Sequence, residues 1–348
     1  MSMAVSAHHA AGGEEQEGLL SVDTVGAYVT QRGLVPPATP IDAVALGGGV
    51  SNVVLAVRAG ERQMVVKQSL PRLRVAEEWL AKRERVMTEA AALRWAATVT
   101  PGAVPTVLDV DPASYTIVIA EAPRGWRDWK ALLLAGNADP LVAARLGTVL
   151  AAWHTAAGEA WAAAGRFDDA EAFEQLRVAP YYRAIMARHP ALSVEVSGYV
   201  DRMLATRRCL VHGDFSPKNV LVGADGLWVL DFEVAHLGDP AFDLAFMLNH
   251  LLLKAIHRPA CLDAYGRCAA AFWDAYQAAT LPGFGGPTSY VLGHTACLML
   301  ARVDGKSPAE YLTPDERDTA RALGHALLAH PPIRIGEVWD ELRMAVAP

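Results

Sequence analysis

Asn219 follows Asp214 by five positions in the run Val211-His212-Gly213-Asp214-Phe215-Ser216-Pro217-Lys218-Asn219, and Asp231-Phe232-Glu233 begins twelve positions later. Those residue types at that spacing suit phosphoryl transfer. The apolar residues Cys209, Leu210 and Val211 read as a strand that delivers the Asp214 carboxylate onto a loop. Asn219 then offers an amide oxygen at the start of a second apolar run, Val220-Leu221-Val222. A turn at Gly223-Ala224-Asp225-Gly226 reverses the chain, and Leu227-Trp228-Val229-Leu230 returns it to the Asp231 carboxylate. A strand-loop-strand-turn-strand of this kind brings Asp214, Asn219 and Asp231 to one mouth. Magnesium prefers hard oxygen ligands and keeps several waters, so one amide and one carboxylate plus phosphate oxygens suit it. A separate carboxylate can orient an attacking hydroxyl and accept its proton. A hairpin whose Asp and Asn merely cap turns would use the same residue types, but it would not call for the second Asp at this spacing.

These residues resemble the catalytic and metal-binding loops of the aminoglycoside phosphotransferase and choline kinase family, small-molecule relatives of the protein kinases. Gly213 stands where a protein kinase has Arg, and Glu233 where it has the Gly of Asp-Phe-Gly. The resemblance implies Asp214 as catalytic base, Asn219 and Asp231 as magnesium ligands, and ATP as phosphoryl donor. Gly238-Asp239-Pro240-Ala241-Phe242-Asp243 is similar to the family's next motif, where Asp243 would brace the catalytic loop through its backbone amides. The segment from Trp79 to Val110 is most similar to the methylthioribose kinases. Phe215-Ser216-Pro217-Lys218 departs from the His-containing loop common there, which leaves the substrate open.

The elements that must position this loop are legible in outline. Val44–Leu46, Val53–Val57 and Met64–Gln68 read as strands, Trp79 to Ala97 as a long helix, and Thr106–Val110 and Tyr115–Ile119 as a further strand pair. Ser21 to Arg32 reads as a short helix with Ser21 as its cap. Beyond Trp129 the pattern is helical, in runs 141–163, 173–189, 193–206, 242–256, 262–277, 290–302 and 314–328, interrupted only by the catalytic hairpin. This order predicts an α+β, bilobal protein-kinase-like fold. A small five-stranded antiparallel N-lobe with one long helix (19–122) would precede a larger, mainly helical C-lobe (123–348), after a disordered tail (1–18).

On the nucleotide side, Gly47-Gly48-Gly49-Val50-Ser51-Asn52 lacks the Lys-Ser/Thr of a Walker loop and opens no helix. Between two strands it instead resembles the flap over ATP phosphates, with Gly48, Gly49, Ser51 and Asn52 close to the ligand. Lys67 lies in an apolar strand, where an ammonium needs a partner. The resemblance pairs it with a helical Glu, either Glu84 or Glu89, and the run 89–94 favours Glu89. Glu121-Ala122-Pro123 occupies the hinge, where backbone atoms would pair with adenine.

On the substrate side, three stretches mix charge with aromatic or turn residues: Trp126–Trp129, Leu176–Arg183 and Arg302–Pro308. Arg177, Tyr181, Arg302 and Asp304 are the candidates for contact with sugar, aminosugar, cyclitol or amino-alcohol hydroxyls. His154 reads as a core histidine.

The chain has 348 residues, 52% hydrophobic and 20% charged, with a formal net charge of −7. That balance disfavours a nucleic-acid binder. Four cysteines without CxxC pairs indicate neither a zinc site nor a disulfide framework. No signal peptide or membrane span is expected, so the expectation is a cytoplasmic monomer or homodimer. Two other readings use the same residues. A catalytically silent nucleotide-binding module is disfavoured by the intact Lys67, Asp214, Asn219 and Asp231. A protein kinase is disfavoured by Gly213 and by the lack of an Ala-Pro-Glu segment after Asp231.

Overall fold

A computed structural model of the chain describes residues 18–47, 51–72, 81–156 and 167–345. The tail read as disordered lies outside them except for Gly18, as do Gly48, Gly49, the start of the helix expected from Trp79 and the end of the one expected to reach Ala163. The chain divides into two compact units, each described by itself.

The first unit holds the described residues up to Ala91 together with Thr106–Glu121. It contains α1 (Val25–Gln31), β1 (Asp42–Ala45), β2 (Asn52–Ala59), β3 (Arg62–Ser69), the beginning of α2 (Arg85–Val99), β4 (Val107–Asp111) and β5 (Thr116–Ala120). The strands form one sheet in the order β1-β2-β3-β5-β4, every pairing antiparallel. Alternate residues of the Val-rich strands point to one face, and Val53, Leu55 and Val57 of β2 join Met64 and Val66 of β3 against Val25 and Val29 of α1. Period two therefore turns Lys67 to the opposite face. Lys67 pairs with Val54 on one side and Ile117 on the other, so it stands in the middle of the sheet and not on an edge. The first helix starts at Val25, later than expected. Ser21 does not cap it: its amide donates to Thr24 Oγ1 (2.9 Å), and a turn comes first.

The second unit holds Ala92–Pro105 and the chain from Ala122 onward. Its elements are β6 (Arg127–Asp128), α3 (Trp129–Leu134), α4 (Pro140–Ala156), a helical run of Glu171–Phe173, the π-helical Glu174–Arg183 and Ala184–Arg188, then α5 (Ser193–Ala205), β7 (Cys209–Val211), β8 (Val220–Val222), β9 (Leu227–Val229), β10 (His236–Gly238), α6 (Pro240–His257), α7 (Leu262–Ala279), α8 (Thr288–Asp304), α9 (Pro314–Ala329) and α10 (Ile335–Ala345). Helix α6 is buried from Pro240 to Ile256, as its apolar character on all sides requires. Helices α4 and α7 meet at Gly147, where a Cβ would lie 2.2 Å from the Phe272 carbonyl oxygen. Only a residue without one allows that approach.

The architecture is thus α+β, a five-stranded antiparallel sheet with one helix inserted after the third strand and a mainly helical remainder. The strands around Asp214, Asn219 and Asp231 belong to two small sheets: β7 pairs with β10, while β8 pairs with β6 and β9. Strands β6 and β10 and helices α3 and α10 were not anticipated. Strands of two or three residues carry no period, and α3 owes its start to Asp128, whose Oδ1 accepts from the Ala131 amide (2.9 Å). Among the described residues no helix is long and apolar enough to cross a membrane.

His236 of β10 stacks on Phe173, ring centroids 4.1 Å apart, and its Nδ1 donates to the Val234 carbonyl (3.0 Å). Burial pushes its imidazole down from 6.5 to about 4. As pH falls, the unfolded chain takes up the proton first. Stability is therefore full above about pH 6.5 and is lost toward pH 4, by about 3 kcal/mol for this one group. Urea midpoints should fall between pH 7 and pH 5, and His236→Asn should shrink that fall. Equal midpoints for the wild-type chain at the two pH values would contradict a neutral buried His236.

Candidate active site

The strand register gathers the loop residues. Val220 lies opposite Val229, and the Leu230 amide donates to the Asn219 carbonyl (2.8 Å), which carries Asn219 and Asp231 to the same end of the hairpin. Asn219 Nδ2 donates to the Asp214 carbonyl (3.0 Å). With the amide nitrogen fixed there, Oδ1, the atom able to meet a cation, is at the other end of the group. Asp231 has φ 71°, a left-handed conformation uncommon for non-glycine residues and concentrated at functional sites. Gly213 has φ 77°, and a Cβ there would lie 2.8 Å from Val234 Cγ2. No larger residue fits.

The loop is held from beneath. Asp243 near the start of α6 accepts from the His212 amide (2.7 Å) and the Gly213 amide (2.9 Å). His154 Nε2 donates to the same carboxylate (3.2 Å), and its Nδ1 accepts from the Tyr276 hydroxyl (2.9 Å), so His154 is a core residue with a task. His212 Nε2 donates to the Leu230 carbonyl (3.1 Å) while Nδ1 accepts from the Asp214 amide (3.1 Å). Burial lowers this imidazole from its usual range and keeps it neutral, as that pattern of donor and acceptor needs.

The Asp214 carboxylate is buried and held by two cations, with Oδ2 2.8 Å from Arg177 Nη2 and 2.8 Å from Lys218 Nζ. Burial alone would raise its pKa. The Arg177 and Lys218 charges outweigh that and hold the carboxyl below the ordinary carboxylate range, against the opposing effect of nearby Asp231. Arg177 also donates from Nε to the Gly213 carbonyl (2.7 Å) and from Nη1 to the Leu176 carbonyl (2.7 Å). It sits in the π-helical stretch, a form that often marks functional sites. A group so engaged orients the Asp214 carboxylate. Lys218 escaped the sequence reading, although its place four residues after Asp214 was the available signal.

The other substrate candidates divide. Asp304 is paired with Arg321 (2.9 Å) and His189 (2.9 Å). Tyr181 and Arg302 are buried near Asp214 and each other, since both the Arg302 and Asp214 charges act on the Tyr181 phenol. In the stretch Trp126–Trp129, Trp126 Nε1 donates to Asp225 (3.2 Å) and packs edge-on to Trp228, and Asp128 caps α3. Those are structural roles. Two open clefts of this unit, about 640 and 340 Å³, are lined by residues within 263–343 and 195–331, none of them from the Asp214 loop.

In the first unit Lys67 Nζ lies 2.6 Å from Glu89 Oε1, both buried, while Glu84 accepts instead from the Tyr115 hydroxyl (3.4 Å). Ser51 and Asn52 are buried and joined, Nδ2 to Oγ (3.1 Å). Arg85, unnoticed in the sequence, donates to the Ser51 and Leu70 carbonyls and fixes the end of the glycine-rich turn to α2. The Glu121 side chain pairs with Arg58, and the Glu121 amide donates to the Gln63 carbonyl (3.3 Å). Pro123 has no N–H. Within 121–123, Ala122 alone therefore has an amide without a partner among the described residues.

Residues 42–285 match the model of a family described as the phosphotransferase enzyme family, APH. This chain belongs to that family. The family segment contains Lys67, Glu89, Arg177, Asp214, Asn219, Asp231 and Asp243; Arg302 and Asp304 follow it. Methylthioribose kinase 2 of Oryza sativa is 26% identical over 286 residues, covering 70% of this chain and 65% of that protein, just under two-thirds of its length. Among solved structures, choline kinase LicA from Streptococcus pneumoniae is similar with TM-score 0.52 at 13% identity, over 88% of this chain and 98% of that one. Amicoumacin kinase hAmiN, in complex with AMP-PNP, Ca²⁺ and Ami, is similar with TM-score 0.53 at 13% identity, over 91% of this chain and all (100%) of that one. At these identities the structural likeness concerns the fold of the phosphotransferase family.

Proposed function

We propose that this chain is an ATP- and magnesium-dependent phosphotransferase that acts on a hydroxyl of a small polar metabolite. The carrying observation is the catalytic loop, where a buried Asp214 held by Arg177 and Lys218 stands beside an oriented Asn219 and the left-handed Asp231. Family membership and relatives that are methylthioribose, choline and amicoumacin kinases support the same reading.

Asp214 accepts a hydrogen bond from the acceptor hydroxyl and aims its oxygen. A carboxylate held at low pKa is a weak base, but in a loose transition state the oxygen attacks before it must lose its proton, so orientation is the larger part of the work. The new O–P bond forms as the bond between the terminal phosphoryl group and ADP breaks. The hydroxyl proton leaves through Asp214, and the products are a phosphate ester and ADP. Half-exposed Lys218 lends positive charge beside Asp214. Lys67, held by Glu89, contacts the ATP phosphates, Ser51 and Asn52 supply the start of β2 as their cover, and the Glu121 carbonyl with the Ala122 amide meets adenine. Asn219 Oδ1 and Asp231 would hold magnesium, which supplies neutralisation of phosphate charge when bound. Among the described residues no three His, Cys, Asp or Glu gather as a closed cage, and a donor set of one amide and one carboxylate fits an ion that retains waters. Consumption of ATP suits a cytoplasmic location, and a site built by one chain suits a monomer or homodimer.

The test is ADP formation with magnesium-ATP and a panel of sugars, polyols, amino alcohols and hydroxy acids. Turnover that depends on one of these alcohols is expected. Phosphate on protein only, or no binding of magnesium-ATP, would overturn the proposal.

The ion pair gives a sharper expectation. Lys67→Ala should raise the KM for ATP and lower kcat, and Glu89→Ala should reproduce part of that loss. Glu84→Ala should stay within about 0.5 kcal/mol of the parent. In a double-mutant cycle Lys67 and Glu89 should be strongly non-additive. Additivity would remove the pair from the account.

A further inference from the structure

Among the described residues two buried cations of the second unit, Arg302 and Lys254, form no ion pair with its buried carboxylates Asp214, Glu233, Asp239 and Asp243. Helix α6 carries Phe246, His250 and Lys254 at four-residue spacing, hence along one face. The Arg177 guanidinium lies 5.7 Å from the Phe246 ring centroid and the Tyr181 ring 5.9 Å from it, which ties this row to Asp214. His250 follows, 5.2 Å from Phe246, and the fully buried Lys254 Nζ lies 5.4 Å from the Tyr311 ring centroid. Arg302 of α8 acts electrostatically on Tyr181, His250, Lys254 and Tyr311 alike.

Among the described residues neither Arg302 nor Lys254 has a carboxylate within ion-pair distance. Arg302 Nη1 is bound to Ser307, Lys254 Nζ donates to the His250 carbonyl (3.3 Å), and Glu310 is engaged by Lys130. Arg302 Nε and the Tyr311 hydroxyl are buried donors that lack an acceptor. Burial, with Lys130 and Arg302 adding to it, pushes the Lys254 ammonium down to about 7 against the opposing charges of Glu310 and Asp128. Uncompensated buried cations are costly, and truncating or adding a partner changes binding strongly. What is missing is a group made only of acceptors and carrying negative charge, which describes a carboxylate or a phosphate. His250 and Arg302 keep 7% and 8% of their surface open and Lys254 keeps none, so the first two can touch a ligand while Lys254 adds charge from behind.

We propose that the phosphorylated metabolite is a hydroxy acid, its carboxylate or phosphate held by Arg302 between Tyr181 and His250 while its hydroxyl meets Asp214. This rests on the transferase reading above. The row on α6 climbs two helical turns from Phe246 to Lys254, so hydroxyl and anion are separated by roughly 6–12 Å. Arg302 and Tyr311 follow residue 285, where the family match ends.

The experiment uses the full chain with magnesium-ATP and three matched sets of alcohols: hydroxycarboxylates and polyol phosphates of graded length, their neutral parents, and amino alcohols. Binding is read by calorimetry and ADP formation by a coupled assay. Binding of acids over their neutral parents is expected, and whether carboxylates or phosphates bind better distinguishes the two sources of anion. Arg302→Gln should weaken acid binding about 10–100-fold and raise KM with kcat little changed. Lys254→Met, which removes a buried charge without unfolding the site, should weaken it less; melting temperatures verify both folds. Preference for neutral alcohols or amines, or no acid bound by the wild-type chain, overturns the inference. Turnover of amines would overturn this inference and leave the transferase reading standing, whereas acids bound without ADP formation would overturn both the transferase reading and the claim that the bound acid is phosphorylated.

Discussion

Asp214→Asn should lower turnover by about 10²–10⁴, the range for a positioned general base, while the affinity for magnesium-ATP changes little. The amide keeps the shape of the carboxylate but cannot accept the proton, and it presents one donor toward Arg177 or Lys218 where only acceptors suit. Arg177 is buried and Lys218 half-exposed, so the lost charge falls mainly on Arg177, and melting should drop as well. The rate comparison therefore belongs well below the variant's melting temperature. A variant that retained more than half the parent rate on the true substrate would remove Asp214 from the chemistry.

Asp231→Asn should raise the magnesium concentration needed for half-maximal turnover and reduce the maximal rate, by about 10²–10³-fold for a group worth several kcal/mol through the metal. Asparagine is the appropriate replacement because it tolerates the positive φ of 71° that Asp231 adopts. Alanine there would add backbone strain to the lost charge. Asn219→Ala should have the smaller effect, since an amide brings no charge to the ion. A magnesium titration at saturating ATP separates these outcomes. An unchanged magnesium requirement in Asp231→Asn would contradict the ligand assignment.

Much of this was legible in the chain because the informative spacings are short. Asp214, Asn219 and Asp231 lie on a strand, loop and hairpin whose register follows from alternating apolar residues and one Gly-rich turn. Lys67 declared itself as a charge in an apolar strand, and its contact with Glu89 follows from the helix inserted before β4. Long-range contacts were not legible. Arg177 is 37 positions before Asp214 and reaches it from a π-helical stretch interrupted by Pro180, a geometry that no 3.6-residue period announces. Asp304 looked free beside Arg302 because its partners, His189 and Arg321, come from elsewhere in the chain. Strand β10 escaped notice because three residues, His236–Gly238, show no alternation, although their pairing with β7 supports the catalytic loop from one side. Helix α10 does carry apolar positions at helical spacing, Val338, Trp339 and Leu342, but it follows Pro331-Pro332 and is short.

The electrostatics also lay beyond the sequence. Net charge of −7 is compatible with a cationic or neutral substrate but requires neither, since net charge speaks mostly to solubility. Burial decides which charges matter, and the second unit buries Arg177, Lys254 and Arg302 together with Asp214, Glu233, Asp239 and Asp243.

The most direct measurement follows the terminal phosphate of ATP. With label in that position, the wild-type chain and a metabolite pool should yield label on a small molecule as a phosphate ester, and Asp214→Asn should yield almost none while still binding magnesium-ATP. Label found only as inorganic phosphate or on protein, at equal rates in the two chains, would contradict the account.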